Sequence, residues 1–433
     1  MVSAGHHARI RLTTRLSATV GALGLVLLTA SPAVAATAED DGQWWYGAYG
    51  VEQVHAEGWT GKGVKIAVID SQINPDLPVF QGADLTIAPG SGCAGSEPTT
   101  DQVTDNARHG STVTALLIGN GTGAGAIRGI VPEASVTYYG LGSLSDCTET
   151  AEAEEAGLSA KVWLIKRALD DGADIISISQ GGGNTTYEDG SVIAEAIVRK
   201  VPIVAAVQND TDQGAFIPSS YRGVVAVNGV DRDRQFLTDS WGLPNAQLET
   251  TVVAPGIPFS SIGAPDGTWD DSGLSGGSSL ATPLVAGILV ATAQKYPDAT
   301  GNQLIQSLIH NTGTEDHELE YDPEDGYGYG VASLNHVLSK DPTVYDDANP
   351  LLDKTVYPIP DQEQLDAAEA ALATATPEPS ETVSDPPAAD AGSGILTVVI
   401  AVAVVILIVV VAAVVLTIVL VRRSHRQNRE AQP

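Results

Sequence analysis

Val64-Lys65-Ile66-Ala67-Val68-Ile69 is a short, almost continuously apolar run that ends in the acidic residue Asp70. Similar runs begin at Ser135, Asp174, Ile203 and Val224, and amphipathic stretches lie between them at Thr112 to Ile118, Ala160 to Leu169 and Val192 to Arg199. Strands that are apolar on both faces are typical of a parallel sheet covered by helices on both sides. The pattern therefore predicts an α/β fold with a mostly parallel sheet, in which ligands bind beyond the carboxyl ends of the strands.

Three polar residues lie where such a sheet would bind a ligand. Asp70 ends the first strand, His109 is predicted to open a helix, and Ser279 starts another helix within Gly277-Ser278-Ser279-Leu280-Ala281-Thr282-Pro283. A serine becomes a nucleophile when an imidazole takes its proton and a carboxylate fixes the imidazole tautomer. Taken singly, each residue has a simpler reading as a turn former or helix cap, so the prediction depends on all three together.

These segments resemble the subtilisin-like serine proteases, the subtilase family, over residues 46–338. The family's signatures are an aspartate at a strand end, a His-Gly-Thr-type helix start and Gly-Thr-Ser-Met-Ala-Thr-Pro, which correspond to Asp70, residues 109–111 and residues 277–283. The resemblance implies a three-layer fold and a peptidase domain at residues 61–340. It also implies an endopeptidase whose triad is Asp70, His109 and Ser279 and whose substrate is a polypeptide.

The resemblance implies further site residues. Asn209 holds the position of the family's oxyanion donor, and Ser179-Gln180-Gly181 resembles the edge that pairs with the substrate backbone. The sequence differs from the family pattern at two positions, because Gln72 and Gln208 stand where the family usually has glycine. A non-glycine residue would be strained there if the backbone needed a positive φ.

The two ends of the chain carry targeting signals. The expected organisation is a signal peptide at 1–35, an N-terminal extension at 36–60, a Pro-rich disordered stalk at 341–393, a transmembrane helix at 395–421 and a cytoplasmic tail at 422–433. The predicted span has 27 residues, all apolar except Thr397 and Thr417, and so exceeds the ~20 that cross a bilayer. Four arginines follow the span, which favours a cytoplasmic tail and an external catalytic domain. A short helix is predicted within the stalk at Gln362 to Ala373.

Charge separates the predicted compartments. The whole chain has a net charge of −31, while residues 37–394 hold 15 basic against 52 acidic residues. Nucleic acid is therefore not expected as a partner.

Only about 28 residues separate Ala35 from Val64, too few for the folding prodomain of secreted subtilisins. This layout resembles the mycosins, membrane-anchored subtilases of type VII secretion, and implies the membrane and that secretion machinery as partners.

Cys93 and Cys147 are the only two cysteines and are predicted to form a disulfide, with two separate buried thiols as the alternative. No cofactor or metal site is predicted, although a structural calcium ion stays open: the acidic stretch Glu315 to Asp325 has no recognisable ligand spacing. Two other functions are weighed against proteolysis. One is a weakly catalytic or inactive scaffold for a membrane secretion complex, and the other is an adhesin on a stalk.

Overall fold

The computed structural model describes residues 42–375, except residues 146, 184, 211–215, 240, 266 and 355–356. The strands are β1 Lys65–Asp70, β2 Leu85–Ile87, β3 Ser135–Gly140, β4 Ile175–Ile178, β5 Ile203–Ala206, β6 Val225–Val230, β7 Val252–Pro255, β8 Phe259–Ile262 and β9 Ser272–Ser275. The α-helices are α1 Trp44–Ala48, α2 Val51–Ala56, α3 Asp105–Ile118, α4 Ala151–Ala156, α5 Ala160–Asp170, α6 Tyr187–Val198, α7 Ser278–Lys295, α8 Gly301–His310, α9 Leu334–Leu338 and α10 Gln362–Ala375. Short 3-10 turns lie at Pro78–Phe80, Ala124–Ala126 and Pro342–Val344.

The central sheet runs in the order β2-β3-β1-β4-β5-β6-β7, and its paired strands are parallel. A separate antiparallel pair is formed by β8 and β9. After β1 the chain forms the edge strand β2, returns to β3 beside β1 and then crosses to β4 on the other side of β1, so the strand order reverses at β1. Ligands of open α/β sheets bind at such a point, beyond the carboxyl ends of the strands. The predicted α/β fold with a mostly parallel sheet is confirmed.

Alternate side chains of the strands pack into two hydrophobic cores, one on each face of the sheet. In β1, Ile66 and Val68 join the core that α3 and α7 cover, whereas Ala67 and Ile69 join the core that α5 and α6 cover. Side chains of a strand alternate between the two faces of the sheet, so both faces are buried. The helices therefore form two layers around the sheet, which explains why the strand runs read as continuously apolar.

Helix α3 begins earlier than the sequence indicated. Its N-cap is Thr104, whose hydroxyl accepts a hydrogen bond from the Ala107 N–H at 3.0 Å. Asp105 in the first turn favours the same start through the helix dipole. The prediction that His109 opens this helix is therefore wrong, and the residue lies in the second turn instead. Helix α7 does begin beside Ser279, as predicted.

The N-terminal extension packs on the predicted peptidase domain from residue 42 onward. Trp45 is fully buried, and its ring lies parallel to that of Phe259 at 6.0 Å between centroids. Tyr46, Tyr49 and Val51 join the same core. An aromatic cluster of this size removes several hundred Å² of apolar surface from water, so the extension is held firmly to the domain.

The prediction of a disordered stalk is wrong for its first part. Leu351 lies in the core under α3 and α7, and Ile359 packs against the opposite core. The backbone pairs as well, because Arg222 N–H donates to Ile359 O at 2.7 Å and Gly223 N–H donates to Leu351 O at 3.1 Å. Leu351 and Ile359, two of the few apolar residues of this segment, therefore both pack on the domain. The helix predicted from Gln362 is present as α10.

Cys93 and Cys147 form the predicted disulfide. Among the described residues, no helix is long and apolar enough to cross a membrane. The predicted signal peptide, residues 376–393 of the predicted stalk, the predicted span at 395–421 and the predicted tail lie outside the described part of the chain.

Candidate active site

The candidate site lies where three neighbouring strands end and two helices begin. Asp70 is the last residue of β1, Ser179 follows β4, and Asn209 lies three residues after β5. His109 comes from α3 and Ser279 from the first turn of α7. The site therefore occupies the crevice that the strand order predicts.

Asp70 and His109 form a hydrogen-bonded pair. The distance between His109 Nδ1 and Asp70 Oδ1 is 2.8 Å, and the carboxylate side chain is completely buried while that of the histidine is 28% exposed. Ser71 supports the same oxygen, because its N–H donates to Asp70 Oδ1 at 2.7 Å. A donor at Nδ1 leaves Nε2 as the proton acceptor, which is the tautomer that a general base needs.

The electrostatics of this pair keep the histidine basic. Burial alone would lower the pKa of His109, but the negative charge of Asp70 and its hydrogen bond outweigh burial and raise the pKa above its ordinary value. A raised pKa strengthens the histidine as the base that takes a proton from the serine.

Ser279 is the second residue of α7 and is partly exposed. Its carbonyl oxygen accepts a hydrogen bond from Ser179 Oγ at 2.7 Å, which ties the helix start to the end of β4. The N–H of a residue in the first turn has no partner within its helix and can face a ligand. Within the described structure no hydrogen bond joins Ser279 Oγ to His109. In serine hydrolases this contact is often long before substrate binds.

Asn209 is oriented by the start of α7. Its Oδ1 accepts hydrogen bonds from Ser278 N–H at 2.9 Å and Ser278 Oγ at 3.1 Å. Using the oxygen in this way turns the Nδ2 donor toward the nucleophile. A Cβ built on Gly277 would lie 3.2 Å from Asn209 Nδ2 and 3.4 Å from Ser279 Oγ, so both groups border the same small space. Glycine at this position leaves that space open.

The predicted substrate edge follows β4 directly. Ser179 is buried and binds the Ser279 carbonyl, whereas Gly181 lies against the ring of Phe216. Gln180 does more than the sequence suggested, because its Nε2 lies 3.2 Å from Asp70 Oδ1 and 3.0 Å from His109 Nδ1. The structure thus brings every predicted site residue into one region.

Neither Gln72 nor Gln208, the two glutamines at usual glycine positions, strains the backbone. The described non-glycine residues with positive φ are Ala126, Lys200 and Arg234, so Gln72 and Gln208 both have ordinary conformations. Their side chains are accommodated, because Gln72 Nε2 donates to Glu97 O at 3.1 Å while Gln208 is buried. The concern that these residues distort the site is removed.

Sequence reasoning missed several supporting residues. Ser71 directly follows Asp70, and Ser278 directly precedes Ser279. This adjacency could have indicated their supporting roles. Tyr138, which is buried on β3, had no such signal. Burial, with the nearby charge of Asp70, raises the pKa of Tyr138 well above its ordinary value. No group of three or more His, Cys, Asp or Glu side chains suited to a metal occurs within the described residues.

A model of the subtilase family, Peptidase S8, matches residues 61–330. The chain belongs to the subtilase family. Subtilisin E from Bacillus subtilis (strain 168) is 29% identical over 278 residues, which cover 61% of this subtilase and 66% of subtilisin E. Subtilisin DY from Bacillus licheniformis is 27% identical over 289 residues, covering 65% and 93% of the two chains. The match thus spans just under two thirds of subtilisin E.

Solved structures agree on the fold. Fervidolysin from Fervidobacterium pennivorans, described as a keratinolytic enzyme related to subtilisin, superposes with a TM-score of 0.52 at 22% identity. The match covers 71% of this subtilase and 48% of fervidolysin. The prenylagaramide maturation protease PagA gives a TM-score of 0.52 at 19% identity, covering 67% and 97% of the two chains. The recognised family and the observed fold are therefore consistent.

Proposed function

We propose that this subtilase is a serine endopeptidase that hydrolyses peptide bonds through an acyl-enzyme. The observation that carries the proposal is the 2.8 Å hydrogen bond between buried Asp70 and His109, at a site shared with Ser279. Family membership and subtilisin relatives support the same reaction. Its substrate is a polypeptide whose backbone lies along residues 179–181.

Each group has a role in the proposed reaction. Ser279 Oγ attacks the peptide carbonyl carbon while His109 Nε2 takes the hydroxyl proton, and the tetrahedral intermediate forms. Asn209 Nδ2 and the Ser279 N–H stabilise its oxyanion. His109 then gives the proton to the leaving amine, and water repeats the sequence to release the acid and restore the serine. Asp70 holds the imidazole and stabilises it when it is charged.

We also propose that the enzyme is tethered to the cell membrane by residues 395–421, with its catalytic domain outside. The sequence of the span and its four following arginines support this arrangement. The mycosin-like layout extends the proposal to a partner, the type VII secretion machinery. The extension at residues 42–59 packs on the hydrophobic core of the domain, which agrees with that layout.

Labelling of the full-length protein by a fluorophosphonate tests the chemistry. Wild-type protein should be labelled in the membrane fraction, and Ser279→Ala should abolish labelling. Ser275→Ala is a matched control, since Ser275 is exposed on β9 four residues away. Equal labelling of wild type and Ser279→Ala would overturn the assignment. Full rescue of secretion by Ser279→Ala would instead favour the scaffold.

A further inference from the structure

The side chain of Gln180 lies on the Asp70–His109 pair. Its Nε2 is 3.2 Å from Asp70 Oδ1 and 3.0 Å from His109 Nδ1, although it is 110 residues from the aspartate in sequence. A residue that served only as substrate edge would present its backbone and leave its side chain in solvent. Gln180 is instead partly buried against the two groups.

The chemistry of the three groups decides which hydrogen bond forms. His109 Nδ1 carries the proton that binds Asp70, so it cannot accept a second one from the amide. The Asp70 carboxylate is acceptor-only, and a charged acceptor gives the stronger bond. The Gln180 N–H therefore donates to Asp70 Oδ1 and stands beside the Nδ1 proton.

The hydrogen-bond donors to the Asp70 carboxylate all meet one of its two oxygens, Oδ1. Within the described structure Asp70 Oδ2 is buried without a hydrogen-bond partner. The buried negative charge is therefore stabilised through Oδ1, where Ser71 and Gln180 assist the histidine. A buried carboxylate with one bonded oxygen could rotate about its Cβ–Cγ bond, and each donor at Oδ1 opposes that rotation.

We propose that Gln180 is a positioning residue of the catalytic pair, which fixes the Asp70 carboxylate through its amide and opposes excess positive charge on His109. The inference rests on the proposed peptidase function and deepens it. The amide N–H dipole points its positive end at the imidazole, so it disfavours the imidazolium and keeps the base available near neutral pH.

Other ionisable groups surround the pair. Tyr138, on β3, is close enough to Asp70 for the two groups to interact electrostatically. On α3 itself, Arg108 is directed away, because its Nη1 lies 3.1 Å from Asp105 and its Nε donates to Gly263 O. The test therefore changes Gln180 while these groups stay constant.

The experiment measures the pH profile of kcat/KM for the full-length protein and two variants. Gln180→Glu replaces the amide with a carboxylate of the same shape, and its negative charge should move the acid limb upward by ~1–3 pH units. Gln180→Met removes only the donor, so its acid limb should move upward by less than about one unit. Both variants should lose kcat near neutral pH with little change in KM.

Gln72→Glu is the matched control. Gln72 lies two residues after Asp70 but donates to the Glu97 carbonyl in an exposed contact and makes no hydrogen bond with the pair. Solvent screens a charge there, so the acid limb should move by no more than a few tenths of a unit.

Titration of the His109 imidazole by ¹³Cε1-histidine NMR gives a readout that does not need activity. Its signal is identified by His109→Ala, and it should shift to higher pH in both Gln180 variants. Unmoved titration with a change in KM alone would make Gln180 a substrate contact only and overturn the proposal. An inactive, unlabelled wild type would refute the peptidase function, while the titration would still decide the role of Gln180.

Discussion

Substituting Asn209 separates two jobs that its side chain performs. Its Oδ1 accepts from Ser278 N–H and Oγ, while its Nδ2 borders the space beside Ser279 Oγ. Asn209→Ala removes both functions. Asn209→Asp keeps the acceptor toward the start of α7 but replaces the donor with a negatively charged oxygen.

The structure sets a different magnitude for each function. Loss of one oxyanion donor lowers kcat by ~10²–10³, the size found on removing such a donor from a subtilisin, which is about 3–4 kcal/mol of transition-state stabilisation. Loss of the two hydrogen bonds from Ser278 costs about 1–3 kcal/mol in the free energy of unfolding. Asn209→Ala should show both losses. Asn209→Asp should show at least the same fall in kcat but unfold like wild type, since a negative charge is favourable at a helix N-terminus.

Steady-state hydrolysis of a chromogenic peptide and urea unfolding measure the two effects on the same preparations. KM should stay nearly constant, because the oxyanion forms only in the transition state. The reasoning fails if Asn209→Ala keeps kcat within threefold of wild type. It also fails if kcat falls in Asn209→Ala but not in Asn209→Asp, because the loss would then come from the helix start.

Two further predictions concern pH and packing. Because Asp70 raises the pKa of His109, the acid limb of the kcat/KM profile should lie above 6.5, the ordinary histidine value. The pair stabilises the folded state fully below pH 6.5, and this stabilisation is lost as the pH rises through the folded-state pKa of His109. Urea unfolding from pH 5 to 9 should therefore show the loss in wild type and not in His109→Ala. Trp45→Ala should lower the free energy of unfolding by ~3–5 kcal/mol, because this fully buried ring packs on Phe259. Trp44 is only half-buried, so Trp44→Ala should lower it by clearly less. Equal losses in a urea titration would contradict the packing argument.

The core of the site could be read from local patterns. Asp70 follows an apolar strand, and Ser279 starts an apolar helix, and both signals lie within a few neighbouring residues. The disulfide was predictable because the chain has only two cysteines. His109 does pair with Asp70, but it was placed one turn too early in its helix, because the Thr104 cap was not recognised. Helix boundaries depend on such single hydrogen bonds, which a periodicity does not contain.

The prediction made from composition was wrong for the first part of the segment that follows the peptidase domain. A stretch rich in proline and acidic residues was expected to be disordered, but residues 349–354 and 357–360 lie on the domain. Asn349 shows why, since its side-chain N–H donates to Gly223 O at 3.0 Å and the Gly223 N–H donates to Leu351 O at 3.1 Å. A few well-placed contacts with a surface already folded can order a segment that has no core of its own.

The sequence by itself determined the strand and helix types, the order of the catalytic groups and the export and membrane signals expected at the ends, because each is encoded by neighbours along the chain. The tertiary structure alone decided what surrounds those groups. It set Gln180 over Asp70 and His109, used Ser278 to orient Asn209 and left Gln72 unstrained. These contacts join residues far apart in the chain, so their geometry follows from how the strands and helices pack.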